Sequence, residues 1–492
     1  MDTEFNLITT EDQIVNEVLV IPIDQNIISM HNVQIYLNQA IINHCNEEQL
    51  IEIVPTHSTS TYKYVIFIGN IYNNHHAKIL GAKLVKIIKK YQINNIKIDL
   101  RQFVDQNQVD INLINSMAEG MVLGSYKIKS YTSSEDYNNL FLENVNFVYG
   151  KVIANDSINS LRESIIIAKS ILWARDLINI PSNLLTPIEL AEVAIDLELE
   201  SEGRIHVEVF DHELLYSMGF NGLTMVGNSS SIPPKLIVLR YLGRAEWDSP
   251  IAVIGKGVTF DSGGLCLKNP EDMITMKNDM AGAAVVLSLI KNLCDLRASV
   301  NVLAIIPATE NIISANSYKP GDVITSLSGK TIEVINTDAE GRIILAEAIT
   351  YAKMNNASKI IDVATLTGSI NVCLGSVTTG AFTNDNNFYQ ELIQASNKSG
   401  ERVWNLPLFE EYKKMLKSDI ADIKNLNSEG AQSITAALFL EEFVGDLPWI
   451  HLDICATGWT NRQSDLNTIG ATGAMVATLT RLLHPGKEEY YK

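Results

Sequence analysis

The sequence predicts an α/β protein of two domains, a small N-terminal one and a larger C-terminal one built on a mainly parallel, mixed sheet flanked by helices. Three observations carry this. The chain of 492 residues is longer than one ordinary hydrophobic core serves. Short apolar runs alternate with stretches of helical periodicity along its length. In the second part those runs are almost continuously apolar, as expected of strands covered on both faces.

Taken in order, "EVLVIPI", "YVIFIGN", "NIKIDL" and "NLFLENVNFVYG" read as strands of the first domain, 1–156, with the helix-like "HHAKILGAKLVKIIKKY" among them. Its lysines, in "KLVKIIKKY", read as one solvated helix face. From Ser157 to Asn179, "SINSLRESIIIAKSILWARDLIN" keeps apolar residues at helical spacing and stops at "IPSNLLTP", which predicts a linking helix over 157–179. The second domain, 180–492, follows with the strand-like "PKLIVLRYLG", "PIAVIGKGV", "VNVLAIIPA", "TIEVIN" and "KIIDVATL". Between several of these lie the helical stretches "MAGAAVVLSLIKNL" and "IILAEAITYAKM". No internal repeat is present.

Composition narrows the class. With 46% hydrophobic and 19% charged residues the chain is a folded globule rather than a disordered one. A net charge of −19 repels phosphate backbones and anionic membranes, so neither a nucleic-acid nor a membrane partner is expected. The N-terminus has no basic segment followed by an apolar one, and no uncharged apolar run reaches the roughly 18 residues of a membrane span. Cys45, Cys266, Cys294, Cys373 and Cys455 form no CxxC pair, which suits buried thiols in a reduced compartment. A soluble, cytoplasmic protein is expected.

Functional groups of open α/β sheets gather beyond the carboxyl ends of strands, and that rule selects three places. Lys256 ends "PIAVIGK" and Asp261 follows in the turn "GVTFDSGG"; Asp338 and Glu340 follow "TIEVIN"; Thr365 to Gly368 follow "KIIDVA". No histidine lies between His212 and His451, so neither a histidine-rich zinc site nor a Ser-His-Asp triad can form from these loops. Carboxylates remain: Asp261, Asp279, Asp338 and Glu340, flanked by small residues. Brought together they would repel and raise one another's pKa unless cations intervene, and a bridging carboxylate suits divalent ions about 3.5 to 4 Å apart. Lys256, at the tip of an apolar strand, is either a neutral amine able to ligate or half of an ion pair with Asp261. Lys268 suits an oxyanion, and Arg342 a small anion or carbonyl. Each residue also has a plainer reading. Asp338 and Asp279 are plausible helix N-caps, Asp362 and Asp453 satisfied core groups, and Met276 and Met280 core filler.

The segments "GKGVTFDSGG", "MKNDMAGAA" and "NTDAEGR" resemble the signatures of the leucine aminopeptidase, or cytosol aminopeptidase, family, and the resemblance covers most of residues 174 to 480. It implies a C-terminal catalytic domain with two divalent ions per subunit, Zn²⁺ or Mn²⁺ foremost and Co²⁺ or Mg²⁺ as further candidates. Lys256, Asp261, Asp279, Asp338 and Glu340 match the ligands. Lys256, Asp261, Asp279 and Glu340 would surround one ion, and Asp261, Asp338 and Glu340 the more exchangeable other. Lys268 and Arg342 match the catalytic basic residues, one stabilising a gem-diolate and the other holding a bicarbonate that shuttles the proton. Thr365, Leu366 and Gly368 match positions near the substrate, and Met276 a residue lining the pocket for the first side chain. The chain departs from the family at Ile343, where leucine is usual, and over "DICATGWTNRQSD", where Cys455 and Trp459 fall.

The implied activity is release of N-terminal amino acids, leucine and other apolar residues preferred, from peptides with a free N-terminus. The implied assembly is a homohexamer, a dimer of trimers. Two alternatives remain beside it: a carboxylate-bridged two-metal phosphoesterase, which wants a basic approach this acidic chain does not offer, and a DNA-binding or scaffold role, which a gel shift at modest salt tests.

Overall fold

In the computed structural model, the described residues are 3–9, 18–22, 52–55, 62, 64–68, 71, 73–100, 104–105, 108–132, 142–150, 153–427 and 429–485. The expected thiol Cys45 lies outside them. The chain divides into two compact units, one of Met1–Lys169 with Gln463–Thr468 and one of Ser170–Arg462 with Ile469–Lys492. The division falls inside the long helix Asn155–Asn179.

The first unit carries a six-stranded sheet in the order Glu4–Thr9, Asn144–Gly150, Asn95–Asp99, Val18–Pro22, Tyr64–Ile68, Glu52–Pro55. All neighbours are parallel except the last, an antiparallel edge. The helix Asn74–Lys90 buries Leu80, Leu84, Val85 and Ile88 and leaves Lys86, Lys89 and Lys90 in solvent, as its periodicity predicts.

The second unit is organised by a nine-stranded mixed sheet. Its centre is parallel: Trp449–Asp453, Lys359–Ala364, Ile251–Gly255 and the long strand Asn301–Asn311 lie side by side. Antiparallel strands extend both flanks, Lys235–Leu242 on one and Thr378–Thr383 on the other. Side chains alternate across the parallel centre. Val253, Ile361 and Ile450 enter a core with the helix Ala281–Asp295, while Ala252, Ile254 and Ile360 enter another with Glu340–Met354 and Gln432–Val444. Burial on both faces is the physical reason these strands read as unbroken apolar runs.

One irregularity positions the site. Ile251–Gly255 and Gly257–Asp261 pair successively along the same long strand, Ile251 opposite Val302 and Asp261 opposite Asn311. Lys256 is the break between them. Its backbone is pinned by Lys256 N to Val363 O at 3.1 Å and Ala283 N to Lys256 O at 2.9 Å, so its side chain leaves the sheet at a fixed place.

Not every expectation about the cysteines holds. Among the described residues all are free and none is fully buried: Cys266, Cys294 and Cys455 are half-buried, and Cys373 is exposed on the short helix Gly368–Leu374, which buries only Ile370. No helix among the described residues is long and apolar enough to cross a membrane.

Candidate metal centre

Local structure brings the charged residues together in steps. Asp261 ends its strand, and the turn after it requires Gly263 and Gly264 at positive φ of 86° and 64°, where a side chain would be strained. A Cβ on Gly263 would also stand 2.8 Å from Asp338 Oδ1. Asp279 lies on the 3₁₀ turn Met276–Met280, and Glu340 opens the helix Glu340–Met354. Neither aspartate is a helix cap: the N-cap positions are Met280 and Ala339, without side-chain bonds, and Asp338 lies one residue outside.

One oxygen each from Asp261, Asp338 and Glu340 lies within 4.8 Å of the others. Lys256, 3% exposed, donates to Asp279 Oδ1 at 2.8 Å and meets Glu340 Oε1 at 2.9 Å. Its amine also reaches Thr365 O at 3.3 Å, while Thr365 Oγ1 donates to Asp279 Oδ1 at 2.7 Å. Lys268 contacts Asp261 Oδ2 at 2.8 Å and pairs with Asp338 from the outer side. Four carboxylates therefore face two ammonium groups.

The electrostatics follow from that imbalance. Burial, then repulsion from Asp261 and Glu340, pushes Asp338 up to about 7. Asp279 rises to about 8, chiefly by burial, opposed by Lys256 and reinforced by Asp261 and Glu340. Glu340 is raised for the same first reason and by Asp261. Burial alone would depress both lysines. The surrounding carboxylates outweigh it and hold Lys256 and Lys268 above the usual lysine range.

The remaining sequence candidates fall at graded distances from this cluster. Arg342, buried, donates from a terminal nitrogen to Asn425 O at 2.8 Å, and its Nε finds no hydrogen-bond partner among the described residues. Burial brings it down to about 10. Leu366 N donates to Asp453 Oδ1 at 3.1 Å, and a Cβ on Gly368 would meet nothing within 4 Å, so that turn is open. Met276 is half-buried at the start of the turn that holds Asp279. Asp362 and Asp453 are satisfied core groups: Asp362 accepts from Trp449 Nε1 at 2.6 Å and meets His451 Nδ1 at 2.5 Å, and Asp453 accepts from Thr367 Oγ1 at 2.6 Å.

Four residues that tie the loops together were not singled out in the sequence. Thr337 Oγ1 donates to Gly263 O at 2.6 Å and accepts from Cys266 N at 2.9 Å, clamping the glycine turn onto the signature loop. Tyr318 donates its hydroxyl to Thr337 O at 2.6 Å, and Asn425 braces Asn336 and Arg342. Asn311 donates to Asp261 Oδ1 at 2.9 Å. Of these, Asn311 had a readable signal: it ends the run "VNVLAIIPATEN" at a strand's carboxyl end, the same rule that selects Asp261.

The donor set fits divalent ions. It is oxygen-rich, negative in excess and buried, and Gly341 leaves room for the lysine amine: a Cβ there would lie 2.6 Å from Lys256 Cε. Comparison with known proteins points the same way. A model of the cytosol aminopeptidase family's catalytic domain matches residues 172–480. Proteins named probable cytosol aminopeptidase are 38% identical in Bacillus subtilis (strain 168), over 88% of this chain and 87% of that one, and 40% identical in Bacillus licheniformis, over 82% and 81%. Among solved structures, a lysine-to-glutamate mutant of tomato leucine aminopeptidase superposes with a TM-score of 0.85 at 30% identity, over 99% of this chain and 97% of that one. The bottromycin maturation enzyme BotP in complex with Mn gives 0.83 at 29%, over 96% and 99%.

Proposed function

The chain belongs to the cytosol aminopeptidase family, a family of metal-dependent aminopeptidases, and from that premise we propose how its residues divide the work. The observation that carries the proposal is the meeting of oxygens from buried Asp261, half-buried Asp338 and buried Glu340 within 4.8 Å, with Lys256 and Asp279 beside them. Lys256, Asp261, Asp279 and Glu340 would hold one divalent ion, and Asp261, Asp338 and Glu340 a second. Bound there, the ions supply a water of lowered pKa and polarise the scissile carbonyl.

The chain's own groups do the rest. Lys268, at the outer edge of the cluster and partly open to solvent, would neutralise the oxyanion that develops on the carbonyl. Arg342, whose buried Nε has no hydrogen-bond partner among the described residues, would have donor capacity for a small planar anion such as bicarbonate, which would carry the proton that no histidine in these loops can carry. The open turn Thr365 to Gly368 would receive the substrate's backbone, and Met276 would line the pocket for its first side chain, with leucine and other apolar residues preferred. In this scheme the substrate would need a free N-terminal amine. Zinc and manganese are the leading ions, the cytoplasm the place of action and a homohexamer the assembly.

The test is hydrolysis of a panel of amino-acid amides with Mn²⁺, Zn²⁺, Co²⁺ and Mg²⁺ each restored to the chelated enzyme. Release of apolar residues from free-amine substrates supports the proposal. Equal cleavage of N-acetylated amides would refute the role given to the amine.

A further inference from the structure

We infer that Asn311 is a positioning residue of this centre, and that its amide decides which oxygen of Asp261 is presented to the ions. The inference rests on the two-ion reading above. Asn311 is fully buried at the end of the eleven-residue strand Asn301–Asn311, in register opposite Asp261. Its Nδ2 donates to Asp261 Oδ1 at 2.9 Å and to Thr337 O at 3.0 Å, with Glu340 Oε2 a longer 3.4 Å away. Gly263 N donates to the same Asp261 Oδ1 at 2.8 Å.

Two N–H donors thus occupy Asp261 Oδ1, and Oδ2 is left to Lys268. The orientation of the amide is not arbitrary. Reversed, its oxygen would face Asp261 Oδ1, Thr337 O and Glu340 Oε2, three acceptors with no proton between them. As it stands, Asn311 Oδ1 is buried without a hydrogen-bond partner among the described residues, an arrangement that is costly unless the nitrogen side is what matters. Gly264 makes room for that oxygen, since a Cβ there would stand 2.9 Å from it.

One asparagine therefore joins the strand that carries Asp261, the signature loop at Thr337 and the first helical turn at Glu340. With Oδ1 held by the protein, Asp261 would present Oδ2 to cations from a fixed rather than a rotating carboxylate. Groups that orient metal ligands in this way typically change metal affinity by about 10- to 100-fold when removed.

Two measurements decide it. The first is a crystal structure of the wild-type enzyme loaded with Mn²⁺. The expected result is Oδ2 of Asp261 on the ions and Oδ1 still bonded to Asn311 and Gly263; an ion coordinated by Oδ1 overturns the inference. The second is the Mn²⁺ dissociation constant of folded Asn311→Ala, by chelator competition. The expected result is about 10- to 100-fold weakening; a lowered Tm with unchanged Mn²⁺ affinity means a merely structural asparagine and also overturns it. If the variant fails to fold, the wild-type structure alone decides. If Mn²⁺ does not bind among Asp261, Asp338 and Glu340 at all, the two-ion reading itself has failed.

Discussion

Changing Gly341 to alanine sets helix propensity against the metal centre. Gly341 is the second residue of the helix Glu340–Met354, where alanine is intrinsically favoured by about 1 kcal/mol. A Cβ at this position, however, would lie 2.6 Å from Lys256 Cε and 2.8 Å from its Nζ. Ordinary carbon contacts begin near 3.5 Å, so the lysine must retreat by roughly 1 Å. Lys256 is bound to Asp279, Glu340 and Thr365 O and is 3% exposed, so there is little free space for the retreat. Overpacking of this kind costs about 1 to 3 kcal/mol, and the helix gain offsets part of it. Stability should therefore fall by no more than about 2 kcal/mol. Activity should fall much further, because a 1 Å misplacement of a catalytic group costs on the order of 10²-fold. The assay pairs thermal melting in chelator with hydrolysis of a leucine anilide at saturating Mn²⁺. A Gly341→Ala enzyme that is more stable and fully active would refute the placement of Lys256 in the centre.

Three further outcomes are expected. Lys268→Ala should lower kcat by on the order of 10²-fold with the ions still bound, and a near-wild-type rate would remove Lys268 from the chemistry. Asp279 at about 8 and Asp338 at about 7 lie far above ordinary carboxyls, so the stability they allow the metal-free protein is fully present below about pH 4 and is lost progressively as pH rises from there through 7 to 8. Ion loading needs both ionised and releases their protons, so Mn²⁺ affinity should fall by up to about tenfold per pH unit for each proton between pH 8 and 6, and a pH-independent titration would contradict this. Glu347→Leu should cost at least about 3 kcal/mol in chemical denaturation, because it strips the acceptor from Gly222 N, Leu223 N and Leu327 N, and a loss below about 1 kcal/mol would show those amides finding other partners.

Much of the second unit was legible in the sequence because the physics is local. Strands buried on both faces must be apolar throughout, and the charged residues interrupting them at the carboxyl ends of Ile251–Gly255 and Gly257–Asp261 stand out against that background. The carboxylates around Lys256 were readable for the same reason: a lysine ending an apolar strand asks for partners. Their protonation was not readable, since it depends on how many carboxylates meet each ammonium. Nor was the scaffold of Thr337, Tyr318 and Asn425, whose bonds join segments far apart in the chain, as across the 89 residues between Asn336 and Asn425. The capping role open to Asp338 and Asp279 failed because both helices begin one residue later than the local pattern suggests, with N-caps at Ala339 and Met280. The exposed Cys373 likewise depends on a short helix that packs only Ile370 inward.

The central claim is that paired ions on these carboxylates carry the hydrolysis. Its most direct measurement is stepwise addition of Mn²⁺ to exhaustively chelated enzyme, with bound metal counted and leucine-amide hydrolysis followed in the same samples, beside Glu340→Ala. The expected result is no hydrolysis without metal, activity that rises to a plateau at two ions per chain, and a Glu340→Ala enzyme that neither retains both ions nor turns over. Hydrolysis that survives chelation, or a Glu340→Ala enzyme with full metal content and full rate, would contradict it.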